Sequence, residues 1–315
     1  MFANSAALQR SLLASHSYFD LFDYPLTLAE IVRFRYRIDA AAEGEPSFAE
    51  ILSALSMPRV GQSRGFYFLQ GREAVVDTRL RRYRIAERKF AGARRAASLM
   101  RFLPSVLMVA VCNSLALSNA REDSDVDMFI VCRRGTVWAT RMVIVGVLKC
   151  FGLRPMERAV SDPLCVSFFI SEDALCLEPL ALPEGDTHFR YWIVPFVPLY
   201  AVGGVYARFI AANRKWLAPE IALAPRSVGR RRSLSRPFVT FPILGLLRRA
   251  DGIARRIQLS LLPDDLRSAM NRDSNVVLTD DILKFHLKDR RREFETRFQA
   301  RLQEIRATEK VWAVS

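Results

Sequence analysis

Cysteine is scarce in this sequence, and the cysteines that are present stand far apart. The chain of 315 residues has five of them, each on an apolar segment: Cys112, Cys132, Cys150, Cys165 and Cys176. Metal sites and redox motifs usually need close cysteine pairs, and none occurs here. The pattern argues against a secreted domain built on disulfides and predicts reduced core cysteines in a cytoplasmic protein.

Long apolar runs are also missing. The most apolar stretch, residues 191–207, is interrupted by two prolines and two glycines, and a membrane-spanning helix needs about 20 apolar residues. We therefore predict a buried helix and turn there, without stable insertion into a membrane. The first 25 residues lack the basic segment, apolar segment and cleavage site of a secretory signal.

Acidic residues are outnumbered. Lys and Arg total 47 against 33 Asp and Glu, which gives a net charge of +14. Such an excess favours a phosphate-bearing partner, whether a nucleotide, a nucleic acid or an acidic membrane surface. The length allows two or three domains with cores of their own.

Two apolar runs flank a polar turn near the middle of the chain. Residues 106–112 and 126–132 predict two buried strands. Asn113 and Ser114 stand where the first strand ends. The Ser114 hydroxyl and the backbone N–H groups of such a turn are able to face an anion.

Two aspartates enter the second of these strands. Side chains alternate along a strand, so Asp125 and Asp127 point the same way while Val126 turns into the core. Paired carboxylates at a strand edge, together with the phosphates of a nucleotide, offer the oxygen ligands that Mg²⁺ prefers. A solvated acidic turn gives the same pattern.

The order of strand, small polar turn and Ser-Asp-x-Asp on the next strand resembles the polymerase-beta-like nucleotidyltransferase superfamily. Its Gly-Ser turn holds a nucleoside triphosphate (NTP), and an acidic pair further along holds two Mg²⁺ ions. The matching residues are Asn113-Ser114 and Asp125-x-Asp127, and residues 118–124 resemble bacterial nucleotidyltransferase-domain proteins of no assigned substrate. The resemblance implies that Asp125 and Asp127 are catalytic and bind metal, while Asn113, Ser114 and Ser124 bind the nucleotide.

The sequence departs from the family pattern at two positions. Asn113 replaces the usual glycine, although Asn tolerates a left-handed backbone. The next predicted strand, residues 164–170, contains no carboxylate, and Ser167 takes the place expected for the third acidic residue. Since that carboxylate normally activates the acceptor hydroxyl, its absence leaves nucleotide binding intact and weakens the case for fast chemistry.

A helix is predicted over residues 137–151, after the acidic strand. Arg141 lies one turn inside it, in a segment that also resembles the same bacterial proteins. The resemblance implies contact between Arg141 and a phosphate, whereas an ion pair with Glu122 or Asp123 is an equal alternative. Alternating strands and helices predict an α/β (α+β) core with a mixed sheet.

The N-terminal segment predicts three helices and a hairpin, which together resemble a winged helix. The helices lie near residues 5–20, 28–38 and 48–57, and the hairpin strands lie at 65–69 and 73–77. Capping boxes at Thr27 and Ser47 open the second and third helices. The third helix has no Lys or Arg, which favours a structural or partner-binding role over DNA binding. Three arginines around the hairpin keep DNA contact open: Arg59, Arg64 and Arg72.

A strongly basic helix is predicted over residues 78–101, with cations from Arg79 to Arg101 against the single acidic residue Glu87. Two interpretations have equal weight. The helix is either a solvated connector, or a phosphate-facing surface that binds nucleic acid.

The C-terminal part of the sequence predicts mainly helices, including two near 240–262 and 280–307, with a basic linker at 225–237. Lys284, His286 and Asp289 approach the nucleotide if the last helix follows the tail of the same bacterial proteins. The predicted organisation is a winged-helix-like domain at 1–77, a basic connecting helix at 78–103, a nucleotidyltransferase core at 104–187 and a C-terminal helical region at 188–315.

Two functions follow as expectations. The first is Mg²⁺-dependent transfer of a nucleoside monophosphate from an NTP to a hydroxyl acceptor that the sequence does not identify. The alternative is a catalytically weak nucleotide-binding module that contacts a partner or DNA through its N-terminal domain.

Overall fold

The computed structural model describes residues 2–38, 45–152, 164–219, 221, 234–235 and 242–312. The fold is mixed α/β, as predicted. Its helices are α1 Phe2–Asp20, α2 Leu28–Phe34, α3 Phe48–Leu55, α4 Val75–Met100, α5 Asn113–Ala116, α6 Val137–Cys150, α7 Thr187–Ile193, α8 Val205–Leu217, α9 Leu244–Ser260, α10 Asp264–Ala269 and α11 Arg291–Trp312. Its strands are β1 Leu26–Thr27, β2 Val60–Ser63, β3 Phe66–Leu69, β4 Val106–Val111, β5 Val126–Cys132, β6 Leu164–Ser171, β7 Val197–Ala201, β8 Val276–Leu278 and β9 Ile282–Phe285.

A six-stranded mixed sheet forms the centre of the molecule, in the order β7-β4-β5-β6-β9-β8. β5 and β6 are parallel, and the other neighbouring strands are antiparallel. β4 is buried along its whole length, and β5 is buried except at Asp127. A strand buried on both faces is expected to be almost continuously apolar, as these two are.

Three helices cover one face of this sheet. Val109 and Ile130 of the sheet pack in one buried cluster with Phe90 of α4, Ile144 of α6 and Leu247 of α9. Burial of such apolar side chains supplies the main favourable term for folding. We call these three helices the outer layer.

The opposite face of the sheet carries the other core cluster. Phe129 of β5 lies there with Phe19 of α1, Ile193 of α7, Phe209 of α8 and Phe298 of α11. The N-terminal helix and the last helix therefore share one core with the central sheet.

The N-terminal segment contains the three predicted helices and a small sheet of order β1-β3-β2, in which β2 and β3 form a hairpin. Both predicted capping boxes form, at Thr27 with Glu30 and at Ser47 with Glu50. The predicted position of the hairpin is wrong: it is formed by β2 and β3, and residues 75–77 already belong to α4. Val75 and Val76 are buried on that helix, so its packing outweighs their strand propensity.

The predicted C-terminal helical region is also corrected, because residues 188–315 supply three of the six strands. β7 is an edge strand, and Pro198 lies where the register between β7 and β4 shifts, a position at which proline is tolerated. Segment 280–290, predicted as helix, contains β9 and the turn after it. Of the predicted linker at 225–237, only residues 234–235 lie within the described part of the chain.

None of the helices described is long and apolar enough to cross a membrane. All five cysteines are free thiols, and Cys112 and Cys132 are buried. The predicted core position is confirmed for these two cysteines and is wrong for Cys150 and Cys176, which are exposed.

Candidate functional site

The two aspartates lie where β5 begins. Val126 is completely buried, Asp127 is half-buried and Asp125 is exposed. The backbone N–H of Cys112 donates to the carbonyl oxygen of Asp127 at 3.2 Å. This bond holds the end of β4 beside the acidic pair, so the polar turn after β4 meets the aspartates.

Asn113 adopts the left-handed backbone that the turn needs, with φ of 58°. Its Nδ2 donates to Asp127 Oδ2 at 2.9 Å. The side chain therefore lies against the carboxylate. Cys112 separates Asn113 from the end of β4, and Asn113 and Ser114 begin the short helix α5.

Neither aspartate of the acidic pair has an ion-pair partner among the residues that the structure describes. Burial raises the pKa of Asp127 and the charge of Asp125 raises it further, while hydrogen bonds from Asn113 and Cys165 lower it. A divalent cation would relieve this repulsion.

Position 165 is the register partner of Asp127 on the parallel strand. Cys165 of β6 is paired with Asp127, and the register shifts before the next pair, Phe129 with Phe168. Ser167 lies beyond Cys165, whose Sγ donates to Ser167 Oγ at 3.2 Å. The place predicted for Ser167 opposite the aspartates is thus taken by Cys165, and Ser167 lies two residues further along β6.

The Ser167 hydroxyl lies within hydrogen-bond distance of a histidine, not of an aspartate. His286, the residue after β9, places its Nε2 3.0 Å from Ser167 Oγ. Burial lowers the pKa of His286 to about 4, so the imidazole is neutral near pH 7. Among the described residues no three His, Cys, Asp or Glu side chains gather in a group that could hold a metal. A metal at Asp125 and Asp127 would therefore take its remaining ligands from phosphate and water.

A cavity of about 660 Å³ opens beside Asp127. Its volume lies in the usual range for small-molecule sites. The lining residues are Phe22, Asn113, Ser114, Arg121, Asp123, Ser124, Asp127, His188, Phe189, Trp192, Lys284, Phe285, His286, Leu287, Lys288, Asp289, Arg290, Arg291 and Phe294. The polar turn, the aspartate and the segment after β9 thus surround one space.

The buried cations of the cavity wall are engaged in a structural network. Lys284 Nζ lies 3.1 Å from Asp289 Oδ2, and Arg291 bonds both Asp289 at 2.8 Å and Asp186 at 2.6 Å. Burial lowers the pKa of Lys284 to about 8. Lys284 and Asp289 line the cavity, and their charges hold β9 and α11 together.

Three exposed cations remain at the cavity wall: Arg121, Lys288 and Arg290. Arg290 pairs with Glu293 through bonds of 2.7 and 2.6 Å. Arg121 pairs with Asp123 through bonds of 3.1 and 2.8 Å. Lys288 is exposed and forms no ion pair with any residue the structure describes. Lys288 is consequently the cation best able to meet a phosphate.

Aromatic rings form the other wall of the cavity. The His188 ring lies 4.7 Å from that of Phe294 and 5.5 Å from that of Phe22. The Tyr18 hydroxyl lies 2.9 Å from His188 Nδ1, and burial lowers the pKa of His188 to about 4. Sequence reasoning missed this wall because its rings come from three distant segments with no shared motif.

The basic helix α4 holds the polar turn in place. Lys89, completely buried, donates to the carbonyl oxygens of Glu122 at 3.1 Å and Ser124 at 2.5 Å. Arg79 donates to those of Leu117 at 2.7 Å and Ser118 at 3.2 Å. These side chains fit neither a solvated connector nor a phosphate-facing surface.

Other cations of α4 have different surroundings. Arg82 donates to the carbonyl oxygen of Phe22 at 2.7 Å, and Arg88 pairs with Glu122 at 2.6 Å. Arg81 and Arg84 are exposed. The choice between a solvated connector and a phosphate-facing surface therefore remains open only for exposed positions such as Arg81 and Arg84.

Arg141 does not join the site, contrary to the prediction. It lies on α6, which packs on the opposite face of the sheet, and its guanidinium lies 4.2 Å from the ring centre of Phe285. Its Nη1 donates to Gln258 Oε1 at 2.5 Å. Ser124 does line the cavity, but its hydroxyl donates to the carbonyl oxygen of Arg121 at 2.9 Å.

The arginines near the hairpin are largely paired. Arg64 bonds Asp77 at 2.6 Å, and Arg72 bonds Asp20 at 2.8 Å and Asp23 at 2.7 Å. These ion pairs draw both guanidinium groups toward acidic side chains of the protein. The structure thus weakens the case for DNA binding by the hairpin.

Comparison with known proteins gives no assignment: no family model, curated protein or solved structure matches this chain. The geometry of the cavity and its acidic pair is therefore the basis for a functional proposal.

Proposed function

We propose that this protein is a Mg²⁺-dependent nucleotidyltransferase, which transfers a nucleoside monophosphate from an NTP to a hydroxyl acceptor. The observation that carries the proposal is Asp127, which lines a cavity of about 660 Å³, with the exposed Asp125 two residues before it and outside the lining. The Asn113-Ser114 turn lies at the same cavity. This arrangement agrees with the sequence resemblance to the polymerase-beta-like superfamily.

In the proposed reaction, the acceptor oxygen forms a bond to the α-phosphorus and the bond from that phosphorus to the β-phosphate oxygen breaks. Pyrophosphate leaves, and the hydroxyl proton passes to a base. Asp125 and Asp127 would hold Mg²⁺, two ions by analogy with the superfamily. The metal supplies charge neutralisation at the phosphates.

The side chains of the cavity have separate roles in this proposal. Asn113 orients Asp127 through its 2.9 Å hydrogen bond. Ser114 and Lys288 contact the phosphates, and the aromatic wall of Phe22, His188 and Phe294 packs against the apolar part of a ligand. The cavity is large enough for these contacts to be made by one nucleotide.

His286 is the base that the cavity offers in place of a third carboxylate. It is neutral near pH 7, because burial lowers its pKa to about 4. A neutral imidazole accepts a proton, although a pKa this far below 7 makes it a weak general base. Slow transfer is therefore expected.

The domain assignments belong to the same proposal. We place the nucleotidyltransferase core on β4, β5 and β6, and a winged-helix-like unit at the N-terminus that serves a structural or partner-binding role. Helix α3 has no Lys or Arg. This supports a structural or partner-binding role for the N-terminal unit over DNA binding.

A specific observation favours a second candidate function. The residue in register with Asp127 is Cys165, a thiol whose pKa is raised by burial to about 11, so it supplies neither a metal-ligating carboxylate nor a base. A nucleotide-binding module with little or no transferase activity fits that feature.

One experiment separates these functions. Purified protein is incubated with each of the four α-labelled NTPs, Mg²⁺ and cell extract, and both bound and transferred label are measured. Transfer supports the enzyme, and Mg²⁺-dependent binding without transfer supports the binding module.

The matched variants are Asp125→Asn with Asp127→Asn, and Asp264→Asn with Asp265→Asn. The second pair removes two exposed carboxylates from α10, outside the cavity. We expect the first pair to abolish Mg²⁺-dependent binding and transfer, and the second to retain both. Unchanged NTP affinity in the first pair would contradict the metal assignment.

A further inference from the structure

The outer layer exposes an unusual share of the apolar surface. Of twelve large hydrophobic side chains that are exposed in the described part of the chain, seven lie on α6, on α9 or at the ends of the three outer-layer helices. They are 37 to 76 % exposed: Phe102, Met142, Phe151, Leu246, Ile253, Ile257 and Leu261. A concentration of this kind marks an interaction surface.

Four of these side chains form a stripe along α9. Leu246, Ile253 and Ile257 are spaced seven and four residues apart, and Leu261 follows four residues later. These spacings place them on one side of the helix. The adjoining side of the helix is occupied, since Leu247 and Ala254 are buried in the core cluster with the sheet.

On α6 and α9 themselves, cations outnumber carboxylates. α6 contains no acidic residue. α9 contains one, Asp251, whose Oδ1 accepts the backbone N–H of Ala139 at 2.8 Å. Four arginines of α9 are exposed: Arg248, Arg249, Arg255 and Arg256. Only Arg255 has an ion pair within the described residues, with Asp280 at 3.4 Å.

A second apolar feature lies on the same layer. A cavity of about 350 Å³ opens between the C-terminal end of α4 and α6, and every residue that lines it is apolar. Phe102 and Phe151 stand at this cavity. Such a space accepts hydrocarbon but offers nothing to a polar ligand.

We propose that the outer layer binds the surface of a membrane that contains anionic lipids. The stripe on α9 would enter the boundary between headgroups and acyl chains while Arg249 and Arg256 meet lipid phosphates. Apolar side chains spread over several helices suit a continuous lipid surface better than a single partner helix, which would need one groove.

Flotation of the full chain with lipid vesicles tests this proposal. Vesicles of phosphatidylcholine mixed with phosphatidylglycerol are compared with vesicles of phosphatidylcholine alone. Wild-type protein should float with the mixed vesicles, and substantially less with the neutral ones, because the exposed arginines need anionic headgroups.

Two double variants separate the apolar from the cationic contribution. Ile253→Asp with Ile257→Asp should weaken vesicle binding about tenfold or more, since two apolar anchors become charged. Arg249→Gln with Arg256→Gln should remove much of the preference for anionic lipid. The control is Phe48→Asp with Leu52→Asp on α3, which changes two exposed apolar residues at the same spacing and should leave binding unchanged.

Circular dichroism and elution volume verify that each variant is folded. Absence of flotation by the wild type, or equal flotation by all variants, would overturn the proposal. So would a wild-type dimer that Ile253→Asp with Ile257→Asp converts to a monomer without any change in vesicle binding, because the stripe would then be a protein interface. Nucleotide binding should be unaffected in every variant, so this test is independent of the proposed transferase function.

Discussion

Asn113 and Asp127 are joined by a side-chain hydrogen bond of 2.9 Å between Nδ2 and Oδ2. The bond connects the turn after β4 to the first residues of β5, and it depends on the left-handed backbone of Asn113, with φ of 58°. One residue thus shapes the turn and orients a proposed metal ligand.

Substitutions of Asn113 should separate these two contributions. Asn113→Ala should destabilise the protein more than Asn113→Gly, by about 1 kcal/mol, because alanine pays for the left-handed backbone and glycine does not. Both variants should weaken Mg²⁺-dependent NTP binding, since both lose the hydrogen bond to Asp127. Chemical denaturation and titration with NTP measure the two effects. Equal stabilities of the two variants would contradict the role assigned to the backbone.

A carboxylate at position 165 should strengthen the proposed site. Cys165→Asp places a third acidic group in register with Asp127, so the melting temperature should depend more strongly on Mg²⁺ than in the wild type. Transfer, if present, should rise by up to about 100-fold. Ser167→Asp is the matched control, because Ser167 lies next to His286 and should give a smaller gain. A larger gain at Ser167 would mean that Cys165 is not opposite the reacting groups.

Lys89 should be essential for the turn before the aspartates. Lys89→Met leaves the carbonyl oxygens of Glu122 and Ser124 without their donor, and we expect a loss of about 2 to 4 kcal/mol in unfolding free energy. NTP affinity should fall as well, because Ser124 lies next to Asp125. Arg81→Met, an exposed change on the same helix, should have little effect on either quantity. A stable Lys89→Met variant with normal affinity would refute this role.

Acid should destabilise the protein before its carboxylates titrate. Burial lowers the pKa of His16, His188 and His286 from 6.5 to about 4, so the unfolded state binds more protons between these values. Stability is therefore retained above about pH 6.5 and lost as pH falls toward 4, by roughly 2 kcal/mol for each histidine between pH 7 and pH 5.

The variant His16→Leu tests this linkage. His16 is a residue of α1, is buried in the core and lies outside the candidate site. Urea unfolding from pH 7 to pH 5 should show a shallower decline of unfolding free energy for His16→Leu than for the wild type. Identical slopes would show that His16 does not remain neutral in the folded protein.

Local patterns in the sequence predicted local structure well. The capping boxes at Thr27 and Ser47, the strands around the acidic pair and the left-handed Asn113 follow from short-range chemistry that tertiary contacts do not override. β7 and β9 were missed, since short strands that are buried in a sheet have no polar alternation to distinguish them from helix.

The remainder of the site depended on contacts between distant segments. The position of Cys165 opposite Asp127 follows from the register of β6 against β5, which alternation alone does not reveal. Arg141 was assigned to the wrong face because a helix that follows a strand can pack on either side of the sheet. The aromatic wall joins the ends of α1, α7 and α11, whose proximity is a property of the fold.

The packing of α1 against α11 has a consequence for how the chain folds. Tyr18 and Phe298 have ring centres 5.4 Å apart, and Arg301 bonds Asp20 at 2.9 Å. Contacts between residues so distant in sequence slow folding, because a long loop must close before they form. During synthesis, the apolar side of α1 has no partner until α11 has emerged from the ribosome, so a nascent chain exposes this surface to chaperones up to that point.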